Sequence, residues 1–555
     1  MIKDQIVALL KEAIGRAQEK GQMPAVELPE IPLERPANPA FGDYASSLAM
    51  RLARSARMNP LAIAKKIVDN LPAAAFLERV EVAPPGFVNF SLKNEWIRQQ
   101  VETILAAGPR FGAVDLGRGT TVQLEFGSAN PTGPLTAALG RAVSLGDALG
   151  NILAAAGYRV TREYYVNDAG SRMDAFYQTA YARYLQAFGR PAEVPEDGYH
   201  GSYMVDLAAE LKAEYGDRFL NVPAGEAAVA IGHIALAKMI ASAEADLAFM
   251  GVHHDVWFRE QSLFDAGLVA QTISLLEARG YISRREGAIW FTSSALGEDK
   301  DNVLVRSNGV PTYFASDIAY HNDKFVQRGF QWVVDIWGAD HQGHVPRMKA
   351  AVAALGVDPD RLTVILHQLV TLMKDGRPYR ISKRTGNLVT LRELLDEVGP
   401  DACRFFFLMR SADSQMEFDL DLAKEQSEEN PVFYVQYAHA RIASILRRAQ
   451  ERDLQFAGGD VALLAEAPEL TLIRKMLELP ELVENTARLL EPHHLPYYAR
   501  DLAAVFSAFY RDCRVINDDP ALAGLTKARL KLVRAAQIVL ANSLRLMGVA
   551  APEQM

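Results

Sequence analysis

Apolar side chains recur at helical spacing over residues 3–18, after which Pro24, Pro29, Pro32, Pro36 and Pro39 punctuate the chain. Helical spacing returns over 44–71. Pro84-Pro85-Gly86 then precedes an alternation, Phe87-Val-Asn-Phe-Ser-Leu92, that predicts a strand. These elements predict a small α/β module over 1–110, closed by a linker-like Gly108-Pro-Arg-Phe-Gly112. A different rhythm follows. Residues 120–126 read as a buried strand, Gly127 to Pro134 as a turn, 136–156 as a helix rich in small residues, and 158–166 as the next strand. Strand, turn, helix and strand in so short a span predict a βαβ unit that opens a parallel, nucleotide-binding type of sheet over 111–385. Residues 172–300 read as a largely helical insertion. The sheet rhythm resumes at Trp332-Val-Val-Asp-Ile336, with a helix near 344–355 and one long strand over 362–373. A connecting segment covers 386–430. From 431 to 555 the pattern is almost continuous amphipathic helix, broken at Gly458-Gly459, Pro480, Pro492 and Pro520, which predicts a helical bundle.

Composition narrows the function classes. With 49% hydrophobic and 23% charged residues over 555 positions, the chain can bury several cores. A net charge of -9 argues against unspecific coating of nucleic acid, while leaving room for a local basic groove. The two cysteines, Cys403 and Cys513, have no CxxC or Cys/His spacing, so neither a disulfide framework nor structural zinc is expected. The amino terminus lacks a signal-peptide core, and no apolar stretch is read as membrane-spanning. The expectation is a soluble intracellular protein.

Four places concentrate chemistry. The turn at 127–134 lies where parallel sheets bind ligands, and Gly133-Pro134 opens a helix whose free N–H groups favour an anion. Glu125 and Asn130 flank it, either facing a ligand or only shaping the turn. Tyr313 and Asp317, four apart, share a helical face and offer an aromatic and a carboxylate to a cation; an ordinary packed helix is the other reading. Asp340, His341 and His344 stand together after a strand, as a ligand loop or a metal cluster. His253-His254-Asp255, next to Trp257 and Phe258, reads as core or interface. Finally, Arg380-Ile-Ser-Lys-Arg-Thr-Gly-Asn387 is a basic loop that suits a triphosphate when paired with the first turn, and plain solvated surface otherwise.

Taken in order, these motifs resemble the class I aminoacyl-tRNA synthetases, and among them the arginyl-tRNA synthetases, over essentially the whole chain. The carriers are Phe126-Gly-Ser-Ala-Asn-Pro-Thr-Gly-Pro-Leu135, Tyr164-Tyr-Val-Asn-Asp-Ala-Gly170, Gly309 to His321, Trp337-Gly-Ala-Asp-His341, Ile381-Ser-Lys-Arg-Thr-Gly-Asn387 and Tyr434 to Arg441. The resemblance implies a fold of the α/β class. It would have a Rossmann-type parallel-sheet catalytic domain with a helical insertion, a small N-terminal α/β domain that binds the tRNA elbow, and a C-terminal α-helical anticodon-binding bundle. It implies arginine binding by Glu125, Asn130, Tyr313 and Asp317. ATP binding falls to Gly133, Pro134, Thr136, Leu139, Gly140, Asp340, His341, Ser382 and Lys383, with Lys383, Arg380 and Arg384 as the catalytic cations. It implies tRNA contacts at Phe87, Asn89, Tyr437 and Arg441. Arginine, ATP with Mg²⁺ and the tRNA for arginine would be the partners, with no zinc and no other metal site in the protein. The enzyme would be a cytoplasmic monomer with no membrane association.

One departure stands out. Where the resembled family carries a His-x-Gly-His signature, this chain has Thr136-Ala-Ala-Leu139. Thr136 keeps a hydroxyl; Leu139 can donate nothing. Removing a donor aimed at a transition state costs about 3–4 kcal/mol. The Gly140 N–H and Lys383 are the expected compensation. A catalytically impaired relative that only binds tRNA or arginine is the alternative.

Overall fold

The computed structural model describes residues 1–379 and 388–555, which form two compact units. The first comprises Met1–Phe111, Ile442–Pro480 and Ala504–Val539. Its amino-terminal part opens with α1 (Ile2–Glu19), followed by β1 (Tyr44–Ser46), α2 (Leu48–Ala56), α3 (Pro60–Asp69), β2 (Leu77–Ala83), β3 (Phe87–Leu92) and α4 (Asn94–Ala107). The predicted helix over 44–71 is thus a short strand and two helices. The break falls where Asn59 caps α3 by accepting from the N–H groups of Leu61 and Ala62, with Pro60 next to it. The strands form an antiparallel sheet in the order β1-β3-β2.

The second unit comprises Gly112–Arg441, Glu481–Ala503 and Leu540–Met555. Its centre is built from β4 (Thr121–Glu125), α5 (Leu139–Ala155), β5 (Arg159–Val166), α6 (Ser171–Ala187), α7 (Tyr203–Tyr215), α8 (Ala224–Phe249) and β6 (Val256–Arg259). Then come α9 (Gln261–Asp265), α10 (Leu268–Ala278), β7 (Ile282–Arg285), β8 (Ala288–Phe291), β9 (Asn302–Val305), α11 (Tyr313–Asn322), β10 (Trp332–Gly338), α12 (Val345–Ala354) and β11 (Leu362–His367). Five strands form a wholly parallel sheet in the order β11-β10-β4-β5-β6. Strand order reverses beside β4, which makes the end of β4 the expected ligand position.

Three expectations change here. The stretch 172–300 is not one helical insertion, because Val256–Arg259 returns to the sheet beside β5 and β7-β8-β9 form a small antiparallel sheet of their own. Four residues are too few to display an alternation. The run 362–373 is two strands: β11 ends at His367, and β12 (Val370–Lys374) pairs instead with β13 (Arg377–Pro378) and β14 (Met416–Asp419). The basic loop therefore follows a hairpin rather than a strand of the main sheet. Finally, α8 is a 26-residue helix long and apolar enough to cross a membrane, which the sequence reading excluded. In the structure its Ala227, Ile231, Ala235 and Leu236 pack against Phe176 of α6 and Leu207 of α7 in one core.

The chain continues through α13 (Leu391–Val398), α14 (Pro400–Leu408) and α15 (Leu420–Lys424) to α16 (Pro431–Glu451), α17 (Ala467–Met476), α18 (Leu479–Leu489), α19 (His494–Asp512) and α20 (Ala523–Met547). The last five are the carboxyl-terminal helices that the sequence predicts, and they supply residues to both units. In the first unit α17 packs on α4, Arg474 donates to Asp43, and Lys531 pairs with Glu102. In the second, the fully buried Arg404 of α14 pairs with Asp147 of α5 and donates to the Met547 carbonyl at 3.0 Å.

Candidate active site

The turn after β4 is built to stay open. Gly127 takes a positive φ of 74°, and a Cβ there would meet Val143 of α5. Ser128 folds back, its hydroxyl donating to Glu125 Oε1 at 3.0 Å while accepting the Tyr165 N–H. Tyr203 of α7 donates to the Thr132 carbonyl at 2.7 Å and props the far side. The run Leu135–Ala137 is then tied to the chain just beyond the basic loop: Ala137 N–H donates to the Val389 carbonyl and Leu391 N–H to that of Leu135. A reciprocal cap between Thr390 and Glu393 starts α13 at that point. Arg380, Ser382, Lys383 and Arg384 themselves lie outside the described residues, but the segment that follows them, from Val389 to Leu391, stands beside the first turn.

A cavity of about 990 Å³ opens at the carboxyl ends of β4, β5 and β10. Glu125, Asn130, Leu139, Tyr313, Asp317, Asp340 and His341 all line it. A second cavity of about 300 Å³ is lined by Asn130, Gly133, Pro134, Thr136 and Leu139, so Asn130 and Leu139 border both. Gly140 lines neither. Its N–H donates to the Ala137 carbonyl at 3.1 Å, and a Cβ would lie 2.7 Å from the Phe407 ring, so the expected compensation from that N–H is already spent. Asp340, His341 and His344 do not converge as a metal cluster: His344 Nε2 reaches Asp317 at 3.0 Å, while His341 and Asp340 approach to 3.6 Å in the open. Of His253-His254-Asp255 only His254 turns inward, half-buried, while His253 and Asp255 are exposed. The His254 ring lies on Phe126, and burial lowers its pKa to about 4.

Beneath the lining lies a charge array that the motifs did not reveal. The sheet register puts Asp335 of β10 beside Glu125 of β4, and Glu125 beside Glu163 of β5. All three are buried. After α11 the helix widens into a π turn, Asp323–Gln327, which brings two cations to this row. Lys324, fully buried, donates to Glu125 Oε2 at 2.7 Å and to Asp335 Oδ1 at 2.8 Å. Arg328 holds Glu163 with a two-pronged contact, and the Tyr320 hydroxyl donates to the same carboxylate. Burial pushes the Glu125 carboxyl up while Lys324 pulls it back; Asp335, also buried, is held low by Lys324 and His321. A fourth acid, Glu260, accepts from the Ser316 hydroxyl at 2.7 Å. Its carboxyl also faces the Tyr165 hydroxyl, and burial pushes that carboxyl up to about 7. Sequence reading missed Lys324, Asp335, Glu163 and Glu260. The available signal was a charge inside an apolar strand, as in Val333-Val-Asp-Ile336.

Phe87 and Asn89 sit on β3 in the first unit, with Asn89 buried. Tyr437 lies on α16, exposed, with the Arg441 guanidinium 4.8 Å over its ring.

Three family models match the chain: the arginyl tRNA synthetase N terminal domain over 2–92, the class I (R) tRNA synthetase catalytic domain over 230–414, and the DALR anticodon binding domain over 435–555. The arginine–tRNA ligase of Dehalococcoides mccartyi is 53% identical over 554 residues, covering 100% of this chain and 99% of its own length. The chain belongs to the arginyl-tRNA synthetase family. The arginine–tRNA ligase of Carboxydothermus hydrogenoformans matches the same full span at 49% identity. The arginyl-tRNA synthetase of Thermus thermophilus superposes with a TM-score of 0.77 at 26% identity, over 98% of this chain and 99% of its own. These full-length likenesses to ligases give no support to the impaired alternative within the arginyl-tRNA synthetase family.

Proposed function

We propose that this arginyl-tRNA synthetase is an arginine–tRNA ligase whose chemistry takes place in the cavity above β4. The supporting observation is the convergence there of a cation-selective wall, Glu125, Tyr313 and Asp317, with a turn tied to the flank of the basic loop. Arginine enters with its guanidinium toward Asp317 and Glu125, whose planar oxygens suit a forked cation better than a point charge. Glu260 backs that wall as a third acid. Asn130 and Tyr313 orient the substrate, and Asp340 and His341 border the adenosine.

An arginine carboxylate oxygen attacks the α-phosphorus of ATP. The bond to the bridging oxygen of the β-phosphate breaks, giving arginyl-adenylate and pyrophosphate. Lys383, with Arg380, Ser382 and Arg384, stabilises charge on the β- and γ-phosphates as it grows. Thr136 offers a hydroxyl from the other side, while Leu139 and the Gly133-Pro134 turn contribute shape. The exposed Asp340 carboxylate is a hard oxygen donor that would hold Mg²⁺ brought in with ATP. Mg²⁺ would supply charge neutralisation of the triphosphate. The terminal 2′-OH of the tRNA then attacks the arginyl carbonyl and AMP leaves.

Phe87 and Asn89 are the contacts for the tRNA elbow, and Tyr437 and Arg441 for the anticodon arm. The enzyme works as a cytoplasmic monomer; its two cysteines, both buried and unpaired, suit a reducing compartment. The test is arginine-dependent ATP–pyrophosphate exchange and tRNA charging, with and without tRNA in the exchange assay. Turnover in either supports the ligase. None under any condition sinks it.

A further inference from the structure

We infer that Lys324 is a positioning residue for arginine, shared between Glu125 and Asp335 so that Glu125 keeps part of its negative charge for the substrate guanidinium. The inference rests on the ligase reading above and concerns the same cavity.

The geometry is specific. Lys324 is the only cation among the described residues that touches Glu125, and its Nζ is split almost evenly, 2.7 Å to Glu125 and 2.8 Å to Asp335. It also stands 4.2 Å over the Tyr320 ring, itself a lining residue. An undivided ammonium facing Glu125 would cancel the charge that a guanidinium needs. With no ammonium, two adjacent carboxylates in a buried sheet could not both stay ionised. Asp335 thus serves as the counterweight that draws Lys324 partly away from Glu125, and His321 Nε2, 3.0 Å from Asp335 Oδ2, holds that counterweight in place. The π turn is what makes the arrangement possible, because it turns Lys324 inward immediately after α11, the helix that carries Tyr313 and Asp317. One ammonium therefore ties the helix of one half of the cradle to the strand of the other.

The groups that face Glu125 are Lys324 from the π turn, Ser128 from its own turn, Asp335 from β10, Glu163 and the Tyr165 phenol from β5, and the Tyr320 phenol from α11, with Glu163 held by Arg328. The test uses the full-length enzyme in arginine-dependent exchange, with thermal melting as the folding control. Asp335→Asn keeps the size but gives Lys324 wholly to Glu125. It should raise KM for arginine by about tenfold, the worth of one charge-assisted hydrogen bond, and leave KM for ATP unchanged. Lys324→Met with Asp335→Asn removes one charge of each sign and should bring KM for arginine back toward the wild-type value. Lys324→Met alone should move the acid limb of kcat/KM for arginine upward by about one pH unit. A merely structural brace predicts otherwise: the double variant would be worse than either single one, and the pH limb would not move. If Asp335→Asn leaves KM for arginine within about twofold of wild type, or the double variant does not improve on it, the inference is overturned. A wild-type enzyme with neither exchange, with or without tRNA, nor tRNA charging would instead overturn the ligase reading, so the two failures are separable.

Discussion

Leu139 borders both cavities with an isobutyl group that can exclude water and nothing more. With the Gly140 N–H already bonded, few donors remain on this side of the phosphates. Thr136→His with Leu139→His should therefore speed arginine-dependent exchange, by roughly ten- to several-hundredfold if phosphate donors limit the rate. An unchanged rate would mean that the basic loop alone carries that task. Glu260 gives a second prediction at this scale. Its carboxyl is raised to about 7 in the fold, so the protonated form favours the folded state. That contribution is complete below the unfolded value of about 4.5 and is lost as pH rises through 7, an effect on the order of 3 kcal/mol. Without arginine, Glu260→Gln should melt higher than wild type at pH 8 and equally at pH 4.5; a pH-independent difference would contradict this. The residues legible in the sequence were those with spacing, such as Tyr313 and Asp317 four apart. Glu260 and Lys324 carry no spacing, because their partners come from other elements.

Among elements, α5 shows how close a helix must lie for the site to form. Gly146 faces the ring of Phe126, and a Cβ there would fall within the ring's own space. Gly146→Val should force α5 away from β4 and lower stability by about 1–3 kcal/mol or more, read by denaturant melting. Exchange activity should fall with it, because the turn between the two elements shapes both cavities. The βαβ unit was readable from its rhythm of strand, turn and helix. The break between β11 and β12 is marked only by the polar pair His367-Gln368 in an otherwise apolar or β-prone run, and it is the pairing partners that decide that β12 leaves the sheet. The same is true of β6, four residues whose place depends on β5.

For the whole molecule, the sequence made the carboxyl-terminal helices one domain because their amphipathic pattern never changes. That reading holds, and contacts add that parts of these helices group with each unit, since an apolar face does not announce which partner will cover it. In the first unit α4 buries Ile97, Val101 and Ile104, and α17 packs against it with Leu472 and Ile473 buried in turn. Removing residues 1–111 should uncover such surfaces, at about 1.5–3 kcal/mol for each large side chain. The expected result is loss of the cooperative melting of the remaining α17, seen by hydrogen exchange at its amides. Retained protection there would show that the helices stand without the module.

That division also sets a timetable for the nascent chain. The amino-terminal module leaves the ribosome first, yet its completing segments run to Val539. At the usual pace of synthesis, roughly 20–90 s separate the emergence of residue 111 from that of residue 539. Over that interval the apolar side of α4 waits uncovered, which makes the half-made chain a natural client for chaperones that shield apolar helices.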